Sequence, residues 1–438
     1  LGAGSIYDKP ESSATQWSLM SYLARIDYSL YDRYLFSVNG RVDGSSRFGG
    51  NNKYGFFPSG SVAWRISEEG FMEPVKAVIN NLKLRTSYGF TGNTEIGVYE
   101  SLATLESNSW TIGNQLVSGF YPNRIPNPDL KWEKTGQFDI GFDLGLFNNR
   151  LRLTADYYYK KTTDLLYNVA IPSASGYDSM LKNIGSVQNK GYELSIESDN
   201  LSGAFSWTTA FNISFNRNKV LELGGETYKD VGTYDDHLKT SDIRRLIVGQ
   251  PIGVFYGYRF DGIFQNEAEC AQQTSSPSPI GVGLRRYKDL NGDGKIDATN
   301  DREILGDANP KFFGGMTNTF AYRGFELNVF LQYSYGNKIF NYNAMELESP
   351  TGGQNVYQDL VNRWTPTNPS NEYQKATTNR NNIVSDRFIE DGSFLKLKTV
   401  SLSYSFPKLN WKHIGGLRLY VTGQNLLTWT KYRGYDPE

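Results

Sequence analysis

The 438-residue chain has one cysteine, Cys270, and two histidines, His237 and His413, and this scarcity removes whole classes of chemistry. A single thiol cannot close an internal disulfide, and two imidazoles leave little for zinc or for Ser/His or Cys/His nucleophiles. The chain is therefore not expected to be an enzyme of those kinds. No apolar run reaches the roughly 18 residues of a transmembrane helix. The opening "LGAGSIYDKP" lacks a basic start and an apolar core, so no signal peptide is read there. Charge of one sign is missing too, with 45 Lys+Arg against 46 Asp+Glu, so composition points to neither nucleic acid nor an anionic surface as partner.

Aromatics and glycine are plentiful. The chain has 30 Tyr, 25 Phe, 8 Trp and 44 Gly, yet a mean hydropathy of −0.50. Strands favour aromatics, and sheets with two unlike faces need polar alternates, so this balance suits many two-faced strands better than one compact core. In "NRLRLTADYYYKK" (149–161), Leu151, Leu153, Ala155, Tyr157 and Tyr159 share one face while Arg150, Arg152, Thr154, Asp156 and Tyr158 share the other. "GQFDIGFDLGLF" (136–147) and "AFSWTTAFNISFN" (204–216) alternate in the same way, and comparable segments lie near 17–30, 33–43, 59–66, 81–91, 187–198, 312–323, 324–336, 393–406 and 415–429. These make twelve strands in all, each about the 9–11 tilted residues that cross a bilayer. Within 393–406 the apolar phase slips between Lys398 and Val400, which predicts a bulge.

The connections alternate between tight ("SLYDR", "FNNR", "NLSG", "YRGF", with "SEEGFMEPVKAVIN" and "PKLNWKHIG" somewhat longer) and long (92–130, 163–186, 218–311, 338–391). Short turns on one side and long loops on the other are the plan of a transmembrane β-barrel, short set to the periplasm and long set outside. A soluble sandwich or propeller would also alternate, but with strands of about 5–6 residues. By this parity 218–311 is an extracellular excursion, and "GVFYGYRFDGIF" (253–264) within it does not cross the membrane.

That excursion holds "DLNGDGKIDATND" (289–301). Asp289, Asn291, Asp293 and Asp297 stand at positions 1, 3, 5 and 9 of an EF-hand-like loop, Gly294 at position 6, and Lys295 offers its carbonyl at position 7. Position 12 is Asn300 where an EF-hand has Glu, with Asp301 one residue later. Structural Ca2+ is the expectation, with Asp301 as a further ligand; an Asx-rich turn without metal is the alternative.

Several stretches together resemble a known family: "GRVDGSSRFGGNNKYGFFPSGSVAWRISEEGFM" (40–72), "LKLRTSYGFTGN" (82–93), "NPDLKWEKTGQFDIGFDLGLFNNRLRLTADYYYKKTTDLLY" (127–167), "VQNKGYELSIES" (187–198), "FYGYRFDGIFQ" (255–265), "DLNGDGKID" (289–297) and "YVTGQNLLTWTKYRGYDPE" (420–438). They resemble SusC/RagA-type TonB-dependent outer-membrane transporters of Bacteroidota, in order and over essentially the whole chain. The resemblance implies an all-β fold, a large antiparallel transmembrane barrel of about 22 strands closed by an N-terminal plug, of which this chain would be the C-terminal part. It also implies import of oligosaccharides or peptides, a SusD-like lipoprotein over the external face, and energy from a TonB–ExbB–ExbD complex. The chain departs from the family in having neither plug nor TonB box and in stopping before a last strand, so a barrel fragment is expected.

For substrate contacts the expectation falls on aromatic and amide residues of the long loops, Trp110, Tyr121, Asn123 and Arg124. A second class stays open: a secreted, calcium-stabilised glycan-binding protein or glycoside hydrolase, with acid pairs such as Asp235/Asp236 or Glu346/Glu348 whose carboxyl separation sequence cannot set. A third is a passive porin or adhesin.

Overall fold

A computed structural model describes residues 14–177, 179–231, 243–348, 355–377, 383–407 and 415–438. Following the chain, β1 (Leu19–Leu30) turns tightly into β2 (Tyr34–Ser45), and eight residues lead to β3 (Tyr54–Arg65). Two 3₁₀ turns, Ile66–Glu68 and Gly70–Val75, precede β4 (Ile79–Asn93). A hairpin of β5 (Thr104–Ile112) and β6 (Gln115–Arg124) fills the next connection before β7 (Glu133–Leu146) and β8 (Leu151–Thr163). A second small hairpin, β9 (Leu166–Ala170) with β10 (Ser179–Asn183), comes before β11 (Ser186–Leu201) and β12 (Phe205–Glu222).

The long excursion carries β13 (Tyr228–Val231), β14 (Arg244–Ile247), β15 (Val254–Tyr258), β16 (Phe260–Ile263), α1 (Glu267–Cys270), β17 (Arg285–Tyr287) and β18 (Arg302–Asp307). Then follow β19 (Phe312–Tyr322), β20 (Phe325–Tyr335), β21 (Lys338–Phe340), α2 (Tyr342–Leu347), β22 (Ile389–Asp391), β23 (Phe394–Ser405) and β24 (Arg418–Thr430).

Twelve of these strands form one antiparallel sheet in chain order, β1-β2-β3-β4-β7-β8-β11-β12-β19-β20-β23-β24. All twelve segments expected from the alternation are in it. The strand expected at 59–66 starts earlier, at Tyr54, and β12 runs on to Glu222, so the excursion begins five residues later than 218. As expected, β15 and β16 lie outside the large sheet: β13-β14-β15-β18 make a separate four-stranded sheet, and β16 pairs with β17. Residues 408–414, most of the "PKLNWKHIG" connection, lie outside the described residues.

Register shows why the alternation matters. On one face of β12, β19, β20, β23 and β24, Met316 sits opposite Leu331, Leu331 opposite Leu397, Phe320 opposite Leu327, Leu327 opposite Leu402, and Leu402 opposite Val421. The other face pairs Thr319 with Asn328, Asn328 with Ser401, and Ser401 with Thr422. Aromatic pairs mark the ends of the apolar face, Phe312 against Tyr335 with ring centroids 5.1 Å apart and Phe325 against Tyr404 at 4.4 Å. The 11 residues of β19, at about 3.4 Å each and tilted roughly 40°, span about 29 Å, enough to cross a lipid-facing band of about 25 Å with its aromatic girdles.

The expected bulge is present. Against β20 the pairing jumps from Thr399 opposite Phe330 to Leu397 opposite Leu331, leaving Lys398 as the extra residue, and against β24 the register shifts at the same place, from Thr399 opposite Gln424 to Leu397 opposite Leu427. Three positions separate Leu397 from Val400, which would put them on opposite faces; the inserted residue returns both to the apolar side. The turn from β19 to β20 is a two-residue hairpin, with Arg323 at φ 47° and Gly324 at φ 87°, the left-handed pair a twisted antiparallel ribbon prefers.

By contacts the chain resolves into two compact units, residues 1–62, 87–138 and 160–186 in one and 63–86, 139–159 and 187–438 in the other. The first has a small core of Phe48, Phe57, Ile96, Leu130 and Trp132, with Phe90, Leu166 and Leu181 packed against it. In the second, cores lie under the long connections: Ile243, Phe255 and Val384; Tyr258, Tyr287 and Ile296; and Ala344, Met345 and Phe388.

Candidate functional site

The polar face of the large sheet is organised by charge. Arg85 on β4 reaches Asp156 on β8 at 2.8 Å and Asp143 on β7 at 3.3 Å, Lys83 approaches Asp143 at 3.5 Å, and the Thr154 hydroxyl donates to Asp143 at 3.3 Å. Gly141 leaves the room this needs, since a Cβ there would lie 2.0 Å from Asp156 Oδ1. Further along, Arg152 pairs with Glu197 at 3.1 Å and Asp199 at 3.3 Å. Arg152 and Asp156 thus meet opposite charges on the polar face, while on the other face Tyr157 packs beside Tyr192, ring centroids 5.0 Å apart and planes tilted by 44°. Arg150 sits at the turn and donates to the carbonyls of Asp199 and Asn200.

In the acidic loop, the six expected ligand residues share one compact turn. Gly292 and Gly294, both at φ 77°, fold the chain so that both oxygens of Asp289 accept backbone N–H groups, at 2.6 and 2.7 Å. Asp293 Oδ1 accepts from Lys295 N at 2.8 Å. Asp297 Oδ1 accepts from the backbone of both Thr299 and Asn300 at 2.8 Å. Those N–H groups of Asn300 and Thr299 hold the Asp297 carboxyl below its ordinary value. Asp301, fully buried, closes the loop by accepting from Leu290 N and Asp297 N, each at 2.8 Å. A parallel bridge from Ser275 to Lys295 ties the turn to the segment after α1.

The donor set is all oxygen, as calcium requires, but its arrangement is that of Asx turns, with the carboxylates spent on backbone N–H groups. Among the described residues no three acidic, histidine or cysteine side chains converge as a metal cluster.

The expected substrate contacts lie together on the β5–β6 hairpin. The Trp110 ring covers Gly119, where a Cβ would fall 1.7 Å from the indole. Tyr121 donates to Glu106 at 3.1 Å, and Arg124 pairs with Glu100 at 3.1 Å. Asn123 is exposed. The hairpin presents Leu105, Trp110, Ile112, Leu116 and Phe120 to the surroundings. Of the acid pairs considered for hydrolysis, Asp235 and Asp236 lie outside the described residues. Glu346 accepts from the Tyr342 hydroxyl, whereas Glu348 is fully buried between Arg387 at 2.8 Å and Arg433 at 3.1 Å.

That last network escapes sequence reading. Arg433 also pairs with Glu390 at 2.8 Å, and although burial alone would lower its pKa, the Glu390 and Glu348 carboxylates hold it above the ordinary value. Glu348, Arg387 and Glu390 belong to the long connection 338–391 and Arg433 follows β24, and nothing in their spacing along the chain relates them.

Comparison with known proteins agrees with the geometry. The family described as TonB dependent receptor-like, beta-barrel, matches residues 2–426. TonB-dependent receptor P3 of Formosa agariphila is 41% identical over the whole chain, and TonB-dependent receptor SusC of Bacteroides thetaiotaomicron is 31% identical over 97% of it. A solved structure of the RagAB peptide transporter superposes with a TM-score of 0.81 at 28% identity, covering 96% of this chain and 45% of its own. The chain spans 44% of the length of receptor P3 and 42% of that of SusC. The chain belongs to the TonB-dependent receptor-like β-barrel family, as a stretch of outer-membrane barrel wall of the SusC/RagA type.

Proposed function

We propose that this wall is part of an energised importer of large nutrients, oligosaccharides or peptides. The long connections face outside beneath a SusD-like lipoprotein, and a TonB–ExbB–ExbD complex acts through a region outside this chain. The observation that carries the reading is the two-faced sheet itself, apolar with aromatic ends on one side and laced with ion pairs on the other, in a chain similar to SusC and to the RagAB peptide transporter. A water-filled lumen takes the polar face and lipid takes the apolar one. The test is uptake of labelled oligosaccharide and of labelled peptide by cells with the whole protein, with and without TonB. TonB-dependent uptake of either supports the proposal; uptake indifferent to TonB makes the protein a passive porin. Solubility without detergent would instead favour the secreted glycan-binding protein or hydrolase.

On the β5–β6 hairpin, Trp110, Tyr121, Asn123 and Arg124 are the proposed contacts with cargo. Their support is chemical, an exposed indole and phenol beside amide and guanidinium groups, a set that stacks on and hydrogen-bonds to sugars. Replacing Trp110 by Ala should lower uptake without changing the amount of protein in the membrane.

The loop spacing supports a second proposal, Ca2+ at Asp289, Asn291, Asp293, Asp297, Asp301 and the Lys295 carbonyl. Binding requires Asp289 and Asp293 to turn from their backbone donors to the ion, at about 2.3–2.6 Å, and its role would be to brace the excursion. Amide exchange across 289–301 in calcium and in chelator tests it. Equal protection in both would leave the Asx turn as the whole account.

A further inference from the structure

The apolar face of the wall does not end at its aromatic rings. Toward the long connections, Phe215 on β12 and Phe312 on β19 have ring centroids 5.9 Å apart, and Phe312 and Tyr335 on β20 5.1 Å. Tyr192 lies on the same face of β11, beside Tyr157. Two residues further out along β11 from Tyr192 stands Lys190, and two and four residues beyond Phe215 stand Arg217 and Lys219. At about 3.4 Å per residue and a tilt of roughly 40°, Arg217 and Lys219 lie about 5 and 10 Å past Phe215. That is the depth at which hydrocarbon gives way to lipid headgroups.

The strand keeps its two faces distinct up to this point. Phe215, Arg217 and Lys219 are exposed, whereas Asn216 and Asn218 are half-buried and Val220 is buried. Asn216 accepts from the Tyr158 hydroxyl at 3.0 Å and the Asn218 amide donates to Asn309 at 2.9 Å, so the intervening positions find their partners away from the lipid side. β11 and β12 are neighbours in the sheet, and a Cβ on Gly191 would run into the Phe215 carbonyl. Lys190 therefore stands alongside the stretch that carries Arg217.

Arg217 is anchored by one nitrogen. Its Nη1 donates to the carbonyls of Asn216 at 2.7 Å, Lys311 at 3.0 Å and Pro310 at 3.4 Å. The Nε–Nη2 edge is left over, and that edge of a guanidinium can give two parallel hydrogen bonds to phosphate oxygens. The Lys219 stem runs past the turn at Gly249, where a Cβ would lie 3.9 Å from its Cε. Among the described residues no carboxylate pairs with Lys190, Arg217 or Lys219. The aromatic rings beneath this cation row offer a surface for acyl chains, so a ligand that carries both phosphate and hydrocarbon answers the whole arrangement, and a free anion answers only half of it.

We propose that Lys190, Arg217 and Lys219 form a binding site for an anionic phospholipid of the outer membrane. Its phosphate rests on the Nε–Nη2 edge of Arg217 between the two ammonium groups, and its acyl chains lie over Phe215, Phe312 and Tyr335. The site is on the lipid side of the wall and is independent of what passes through the lumen.

The test uses the whole protein in detergent, with bound lipid counted by native mass spectrometry during titration with dioleoylphosphatidate, with dioleoylphosphatidylcholine, and with inorganic phosphate as competitor. Phosphatidate should bind at least about tenfold more tightly than phosphatidylcholine, which has the same chains but a phosphate masked by choline. Each basic side chain near a lipid surface is worth about a fivefold change, so R217A, K190Q and K219Q should each weaken phosphatidate by about that factor and leave phosphatidylcholine unchanged. R217K should recover only part of the loss, because an ammonium lacks the two-pronged edge. R152A, on the polar face, should have no effect. Equal affinity for the two lipids, or phosphatidate binding indifferent to R217A, K190Q and K219Q, would overturn the proposal. Displacement of phosphatidate by an equal concentration of inorganic phosphate would overturn it too, by making the site one for the free anion. Heat-modifiable mobility on gels checks that the variants keep the barrel.

Discussion

Glu348 shows how much one side chain can carry. It is fully buried, and Arg387 beside it is nearly so, which means that removing the carboxylate strands a guanidinium away from water. Breaking a buried pair in this way costs about 3–5 kcal/mol, so Glu348→Ala should open the segments 341–348 and 386–391 to hydrogen exchange while the sheet strands keep their protection. Asp297 makes a different prediction, through pH. Its carboxyl is depressed by the Asn300 and Thr299 N–H groups. The stabilisation it adds is therefore present above the ordinary carboxylate value and is lost as pH falls through the depressed one. Protection of the amides of Thr299 and Asn300, taken relative to their intrinsic exchange rates at each pH, should fall on acidification in that window and stay constant around neutral pH. Loss of protection at neutral pH instead would mean that another group holds the turn.

At the scale of elements, alternation with period two is the rule and Lys398 is its one correction in β23. Deleting Lys398 should move Leu395 and Leu397 onto the polar face, because a one-residue change of register exchanges every side chain between faces. The expected result is loss of heat-modifiable, inserted protein, and normal insertion would refute the account of the bulge. The apolar face makes a quantitative test possible. Leu153→Arg places a cation on it at a cost of about 2–4 kcal/mol near the midplane, whereas Thr154→Arg on the neighbouring polar position adds a cation beside Asp143. A reversibly folded barrel should lose stability with the first substitution and much less with the second. Equal losses would show that the faces are assigned wrongly. The β5–β6 hairpin is the opposite case: two strands alone are marginally stable in water, and this pair keeps large apolar side chains exposed.

For the molecule as a whole, the strand order among the described residues runs from β1 at one end to β24 at the other. Each presents a row of backbone donors and acceptors, and in hydrocarbon an unsatisfied group costs several kcal/mol. Residues 1–438 expressed alone should therefore fail to give inserted, heat-modifiable barrel, while the whole protein should give it. Properly inserted material from the short chain would show that the two edges find partners some other way.

What the sequence by itself determined was whatever depends on neighbours along the chain. Side chains two apart share a face, so the twelve crossing strands, the bulge at Lys398 and the separation of 253–264 from the wall were all legible. The glycine and Asx spacing likewise announced the turn at 289–301. Only tertiary structure decided where the polar groups of that turn point, because a carboxylate chooses between a backbone N–H and an ion by geometry, not by spacing. Only tertiary structure, too, brought Glu348 to Arg387 and Arg433, or Arg245 between Tyr228 and Tyr256. Glu348 and its arginines are far apart in the chain, and the short strands that carry Tyr228, Arg245 and Tyr256 gave no signal of which would pair. What joins such partners is the demand that a buried charge meet its opposite or a hydrogen bond.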